Sequence, residues 1–120
     1  MTPSPTSIRI AVAEAMGYKL VNYSAPHSLY ADKHGSLLFE EELPRYDSSR
    51  DTCAEFEREV ENDATVAYTY AQRLIEVTSA KTGLLMSWKL IRATALQRCE
   101  AFLRTVAPGK WEELSKEITP

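Results

Sequence analysis

Apolar side chains recur at helical spacing in three separated stretches, and this periodicity constrains the fold more than any other feature of the chain. Each stretch begins at a residue able to cap a helix: Ser7, Ser48 and Thr94. Thr94 also has Gln97 three residues later, which is the spacing of a capping box. The sequence therefore predicts helices over residues 7–17, 48–62 and 94–107, the last of which ends at Pro108.

The apolar faces of these helices define a predicted core. In the second helix the inward positions are Cys53, Phe56 and Val60, and in the last they are Leu96, Cys99, Leu103 and Val106. Both cysteines are in phase with large apolar residues, where a thiol behaves as a small hydrophobe. We therefore expect Cys53 and Cys99 to be reduced and buried.

Residues 64–81 fit two patterns. Val66, Tyr68 and Tyr70 alternate as in a strand, whereas Val66, Tyr70 and Leu74 follow a helical face. The helical pattern extends over more residues, so the sequence favours a helix here.

The remaining apolar runs have the composition of strands. Residues 18–24 carry apolar groups on both alternating sets, which predicts a strand covered on both faces. Residues 29–33 and 36–39 flank His34 and Gly35 and predict a hairpin, and residues 84–91 predict one more strand. The order α-β-β-β-α-α-β-α lacks regular βαβ units. It predicts an α+β fold with a mainly antiparallel sheet of three to four strands flanked by helices, an α-β-α sandwich.

Length and composition limit the domain organisation. A chain of 120 residues with 44% hydrophobic content has the size of one domain, which we place at residues 7–120. Residues 1–6 contain two prolines and little apolar surface, so we expect a disordered tail. There is no long apolar run and no basic-then-apolar leader, which predicts a cytoplasmic protein without membrane contact.

Charge is distributed unevenly along the chain. Residues 40–63 hold ten carboxylates and three arginines, a local balance of −7, whereas residues 81–110 hold six basic side chains and one glutamate, a balance of +5. Asp51, Glu55, Glu59 and Asp63 follow one another at i, i+4 steps and share one helix face. That face is a solvated surface, a contact for the basic segment of a second copy, or an imitation of a phosphate backbone directed at a host protein.

The basic segment predicts a site for an anionic small molecule. Lys89 and Arg92 precede the predicted helix that begins at Thr94. The first turn of this helix offers unpaired backbone N–H groups and the guanidinium of Arg98. Trp88 and Trp111 could stack on a base. The alternative is a solvated helix in which Glu100 pairs with Arg104 at i, i+4.

No local signature of catalysis or metal binding is present. The chain lacks the glycine-rich phosphate loops GxxxxGK[ST] and GxGxxG, and its two histidines stand apart from any HExxH motif or cysteine pair. The sequence therefore predicts no cofactor, no metal and no enzymatic activity, although distant residues could assemble a site without local spacing.

The segment TALQRCEAFLRT at 94–105, followed by GKWEE at 109–113, resembles the phage ABA sandwich domain, a family of small bacteriophage and prophage proteins. AEAMGY at 13–18 and LPRY at 43–46 extend the resemblance, although Arg45 replaces an acidic residue and Ala107-Pro108 is an insertion. The resemblance implies a phage origin and a layered α-β-α fold, and it implies no reaction.

These observations predict a non-enzymatic phage accessory protein that acts by binding in the cytoplasm of an infected bacterium. In the first hypothesis it sequesters a nucleotide-like signalling molecule and so counters host defence. In the alternative it is an acidic inhibitor or DNA mimic that masks a host protein. Assembly of two or more copies is compatible with either, and direct nucleic-acid binding is disfavoured by the net charge of −3.

Overall fold

A computed structural model describes residues 3–24, 27–78 and 90–116 of the chain. Its elements, in order, are α1 (Pro5–Ala15), β1 (Lys19–Ser24), β2 (His27–Ala31), β3 (Leu37–Phe39), a 3-10 turn (Glu40–Glu42), α2 (Arg50–Glu61), α3 (Ala64–Thr78), α4 (Ala95–Val106) and α5 (Pro108–Lys116). The strands form one antiparallel sheet in the order β1-β2-β3. The predicted α+β class is confirmed.

Helix α1 begins earlier than the sequence predicts. The side chain of Ser4, rather than that of Ser7, is the cap and accepts a hydrogen bond from the Ser7 N–H. Pro5 then occupies the first turn, where its fixed φ suits a helix and its missing N–H costs nothing. Pro5 and Thr6 are therefore helical and do not belong to a disordered tail.

Helix α2 is capped one residue later than predicted, and α4 is capped as predicted. Ser49, not Ser48, accepts a hydrogen bond from the Thr52 N–H. Thr94 and Gln97 form the reciprocal capping box that their spacing indicates. The capping box thereby sets the direction in which α4 leaves the preceding loop.

Residues 64–78 form helix α3, which confirms the choice of helix over strand. Most of the strand predicted at 84–91 lies outside the described residues. Its last two positions, Leu90 and Ile91, are helical, which contradicts that part of the prediction. The helical part of the chain also continues beyond Pro108. Pro108 ends α4 as predicted, but it is the first residue of a further helix, α5.

The hairpin predicted around Gly35 is present. Gly35 has φ +85°, and the Asp32 carboxylate accepts hydrogen bonds from the N–H groups of His34 and Ser36 at 2.8 and 2.9 Å. Strand β1 is not covered on both faces as predicted, since Leu20 and Val21 are 47% and 55% exposed. The reason is that β1 packs mainly against β2 and not under a helix of the described residues.

The core is centred on α4, which packs against α1, α2, α3 and α5. Cys99 and Leu103 are buried on its inner face as predicted, whereas Leu96 and Val106 are exposed and Phe102 is buried instead. Phe102 stacks on Phe56 of α2 with ring centroids 4.4 Å apart. Further core residues include Tyr46 and Tyr70, whose rings contact Phe56, and Tyr30 of the sheet.

Candidate functional site

The N-terminal ends of α2 and α4 border the same cavity. It has a volume of about 410 Å³ and is lined by Ser48, Arg50, Arg92, Thr94 and Ala95. The two helices are far apart in sequence but adjacent in the fold. The cavity therefore combines residues from the acidic segment and the basic segment of the chain.

Local hydrogen bonds fix both helix ends at this cavity. In α2 the first helical hydrogen bond runs from the Cys53 N–H to the Ser49 carbonyl, and in α4 from the Arg98 N–H to the Thr94 carbonyl. The N–H groups nearest each end, those of Arg50 and Ala95, consequently have no partner within their helices. They add positive partial charge to this side of the molecule.

Buried thiols hold the two helix ends together one turn further in. The Sγ atoms of Cys53 and Cys99 both donate to the carbonyl oxygen of Tyr46, at 3.2 and 3.0 Å. Cys53 also lies 3.8 Å from the carbonyl oxygen of Ala95. Interaction with the neighbouring Cys53 thiol, together with burial, raises the pKa of Cys99 well above its usual range. Both cysteines are unpaired and buried, as predicted, and Cys99 stays a neutral thiol rather than a nucleophile.

The described lining of the cavity carries two positive charges, and the exposed Asp51 follows Arg50 in the first turn of α2. Arg50 and Arg92 are exposed at its border, together with the hydroxyl groups of Ser48 and Thr94. None of the five described lining residues is acidic. Two guanidinium groups, two hydroxyl groups and two helix N-termini can all act as donors toward one acceptor-rich ligand.

Among the residues predicted to bind an anion, Arg92 and Thr94 do line this cavity. Arg98 does not. Its Nη1 donates to the Glu57 carboxylate at 2.9 Å, and its Nε donates to the Ala93 carbonyl at 3.1 Å. The Arg98 side chain is only 17% exposed, because it connects α4 to α2 inside the protein.

Trp111 also lies away from the cavity. Its half-buried ring is covered by the Arg104 guanidinium, 5.8 Å from the ring centroid, and it lines a separate groove beside Leu96 and Gln97. Arg104 is paired with Glu100 at 2.7 Å, which confirms the predicted i, i+4 pair. Trp88 and Lys89 lie outside the described residues.

All four residues of the predicted acidic stripe, Asp51, Glu55, Glu59 and Asp63, are exposed. Two of them also have local partners, and the Glu55 carboxylate accepts a hydrogen bond from the Tyr46 hydroxyl at 3.0 Å. Burial and this carboxylate raise the pKa of Tyr46 far above its usual range. Asp63 caps α3 by accepting from the N–H groups of Thr65 and Val66.

Sequence reasoning missed Ser48 and Arg50 as site residues. Arg50 lies in a segment with ten carboxylates, and the local charge balance assigns that whole segment to an acidic surface. An anion site at Arg50 is therefore not expected from charge alone. The sequence assigns Ser48 to a helix cap. The signal that could have indicated an anion site is an arginine at the first position of a helix N-terminus.

The described residues contain no group of three or more His, Cys, Asp and Glu side chains that could hold a metal ion. Within the same part of the chain, no helix has both the length and the apolar character needed to cross a bilayer. Comparisons with family models, with curated proteins and with solved structures give no match to this chain.

Proposed function

We propose that this protein binds a small phosphorylated anion in the cavity between the N-termini of α2 and α4, and that it acts by holding this molecule. One observation carries the proposal: Arg50 and Arg92, from segments distant in sequence, border one cavity with two helix N-termini. Either feature alone is common on protein surfaces, whereas their convergence concentrates positive potential at one point.

A phosphoryl group matches the donors around the cavity. A guanidinium pairs with phosphate oxygens through two parallel hydrogen bonds, and helix N–H groups bind the same oxygens. Ser48 and Thr94 add hydroxyl donors at the border. The cavity, of about 410 Å³, is open to solvent, so a phosphorylated ligand can reach these donors.

The lining residues support binding rather than turnover. General acid–base chemistry needs a titratable group such as histidine or a carboxylate beside the reacting atom, and the five described lining residues include neither. Together with the resemblance to phage proteins, this favours a phage accessory protein that sequesters a nucleotide-like signalling molecule and so weakens a host defence.

The proposal is tested by thermal unfolding of the full chain with inorganic phosphate, AMP and a cyclic dinucleotide. A ligand at a hundred times its Kd stabilises the folded state by about 2.7 kcal/mol. For a chain of this size that corresponds to a rise in Tm of roughly 10 °C. We expect at least one phosphorylated probe to give such a shift and its dephosphorylated counterpart to give none.

Variants locate the site. Arg50→Gln and Arg92→Gln each remove one charge-assisted donor, so each should raise the Kd about tenfold or more. Arg73→Gln is the matched control, because Arg73 is an exposed helical arginine that does not line this cavity. Equal binding by all three variants, or no shift with any phosphorylated probe, would contradict the proposal.

A further inference from the structure

A second cavity, of about 280 Å³, lies among the ends of several elements on another part of the molecule. Its walls are apolar except at two positions. The apolar lining residues are Ala15, Met16, Val60, Val66, Phe102 and Val106, and the two charged ones are Lys33 and Glu59. None of these residues lines the cavity at the N-termini of α2 and α4, so the two cavities are separate.

The fold fixes the position of the Lys33 backbone. Gly17, with φ +105°, turns the chain from α1 into the sheet and lies close to the Cβ atom of Lys33. The Asp32 carboxylate binds the next N–H groups of the turn, those of His34 and Ser36. Lys33 is therefore held at the rim of the cavity by a defined turn.

This cavity is partly open to solvent and has room for a ring. For comparison, enclosed engineered apolar cavities of about 150 Å³ bind benzene. Val60 and Phe102 are only 3% exposed. The apolar surface open to a ligand therefore comes mainly from the more exposed Met16, Val66 and Val106. Burial of a phenyl or branched aliphatic group there would release water from both surfaces.

The charged residues define the rest of the ligand. Lys33 and Glu59 carry opposite charges and come from different elements, the β2–β3 turn and α2. With other described residues, neither side chain forms an ion pair within 4.0 Å. A ligand carboxylate can pair with Lys33 and a ligand ammonium with Glu59, while an apolar group fills the space between the walls.

From this combination we infer that the cavity binds a free α-amino acid with a large apolar side chain, such as phenylalanine or leucine. This ligand class carries both charges on one carbon beside an apolar group. The inference does not depend on phosphate binding at the other cavity.

An apolar amine is the main competing ligand. A smaller cleft of about 120 Å³ adjoins the cavity, shares Met16 and Lys33 with it, and contains the carboxylates of Asp32 and Glu55. An amine could use these acids and would not need Lys33. The roles of the two charges must therefore be measured separately.

The experiment is isothermal titration of the full chain with four probes: L-phenylalanine, L-leucine, phenethylamine, which lacks the carboxylate, and 3-phenylpropionate, which lacks the ammonium. We expect at least one amino acid to bind about tenfold more tightly than either phenyl analogue, because each analogue loses one charge-assisted interaction. Failure of both amino acids to bind at millimolar concentration, or an analogue that binds as tightly as they do, overturns the inference.

Two variants assign the charges. Lys33→Met should abolish the preference for phenylalanine over phenethylamine, and Glu59→Gln should abolish the preference over 3-phenylpropionate. Both residues are exposed, so the fold should tolerate both substitutions. Arg73→Gln is the control and should leave amino-acid affinity unchanged, because Arg73 lines neither cavity. If Lys33→Met and Glu59→Gln both retain wild-type selectivity, the charges play no role and the inference fails.

Discussion

Substitution of Arg98 by methionine should destabilise this protein far more than a typical arginine substitution. One Glu57 carboxylate oxygen accepts both the Arg98 Nη1, at 2.9 Å, and the Tyr70 hydroxyl, at 2.6 Å. Without Arg98 this carboxylate stays partly buried and the Ala93 carbonyl loses its Nε donor. Removal of one partner from a buried ion pair costs about 3–5 kcal/mol.

We expect a loss near the lower end of this range, about 3 kcal/mol, because Arg98 and Glu57 retain 17% and 24% exposure. Tyr70→Phe removes one hydrogen bond to a charged acceptor and should cost about 1.5 kcal/mol. Urea denaturation of each variant gives the free energy of unfolding. The Arg98→Met and Glu57→Gln double variant should lose at least about 1 kcal/mol less than the sum of the single losses, as expected for directly interacting side chains.

Arg73→Met is the matched control. Arg73 pairs with Glu76 at 2.7 Å, a shorter distance than in the Arg98 pair, but both side chains are exposed, at 40% and 49%. Such surface pairs contribute roughly 0–1 kcal/mol. A loss in Arg98→Met no larger than that in Arg73→Met, or strict additivity in the double variant, would refute the conclusion that burial makes this pair important.

Two further predictions test local features. Burial raises the pKa of Glu100 despite the opposing effect of Arg104, so the charged carboxylate costs stability at neutral pH. The wild type should therefore gain stability relative to Glu100→Gln as the pH falls toward about 4.5. Denaturation of both proteins at neutral pH and at the lower pH measures this difference. Gly35→Ala places a side chain at φ +85° and should cost about 1 kcal/mol of stability. Gly109→Ala, within α5, should instead stabilise the protein by roughly 0.5–1 kcal/mol. Equal effects of the two substitutions on Tm would contradict the positive-φ argument.

Some features fixed by neighbouring residues were predictable from the sequence, although the caps of α1 and α2 were each assigned to the wrong serine. The Thr94–Gln97 capping box and the turn at Gly35 depend on contacts within four residues, so local spacing was sufficient to find them. The buried positions Cys53 and Phe56 followed from helical periodicity, because α2 has one apolar face and one charged face.

Features that depend on contacts across the fold were not predictable. Arg98 has the composition of a surface residue, and only the approach of Glu57, 41 positions away, places it inside the protein. The exposure of Leu20 depends on whether a helix packs over β1, which apolar alternation does not specify. The same limitation applies to Arg50. Its place in the candidate site depends on the N-terminus of α4, which is distant in sequence but borders the same cavity.

The internal role of Arg98 also connects stability to the proposed phosphate site. Its guanidinium donates to the carbonyls of Ala93 and Ile91, the residues on either side of Arg92. Glu57→Gln removes the ion pair but leaves the bonds from Arg98 to the loop carbonyls intact, whereas Arg98→Met removes both. Both variants should therefore lose stability, but only Arg98→Met should raise the Kd for inorganic phosphate, because only this change releases the backbone that positions Arg92. Titration of both variants at a temperature where each remains folded measures this difference, and equal affinities would show that the loop keeps its position without Arg98.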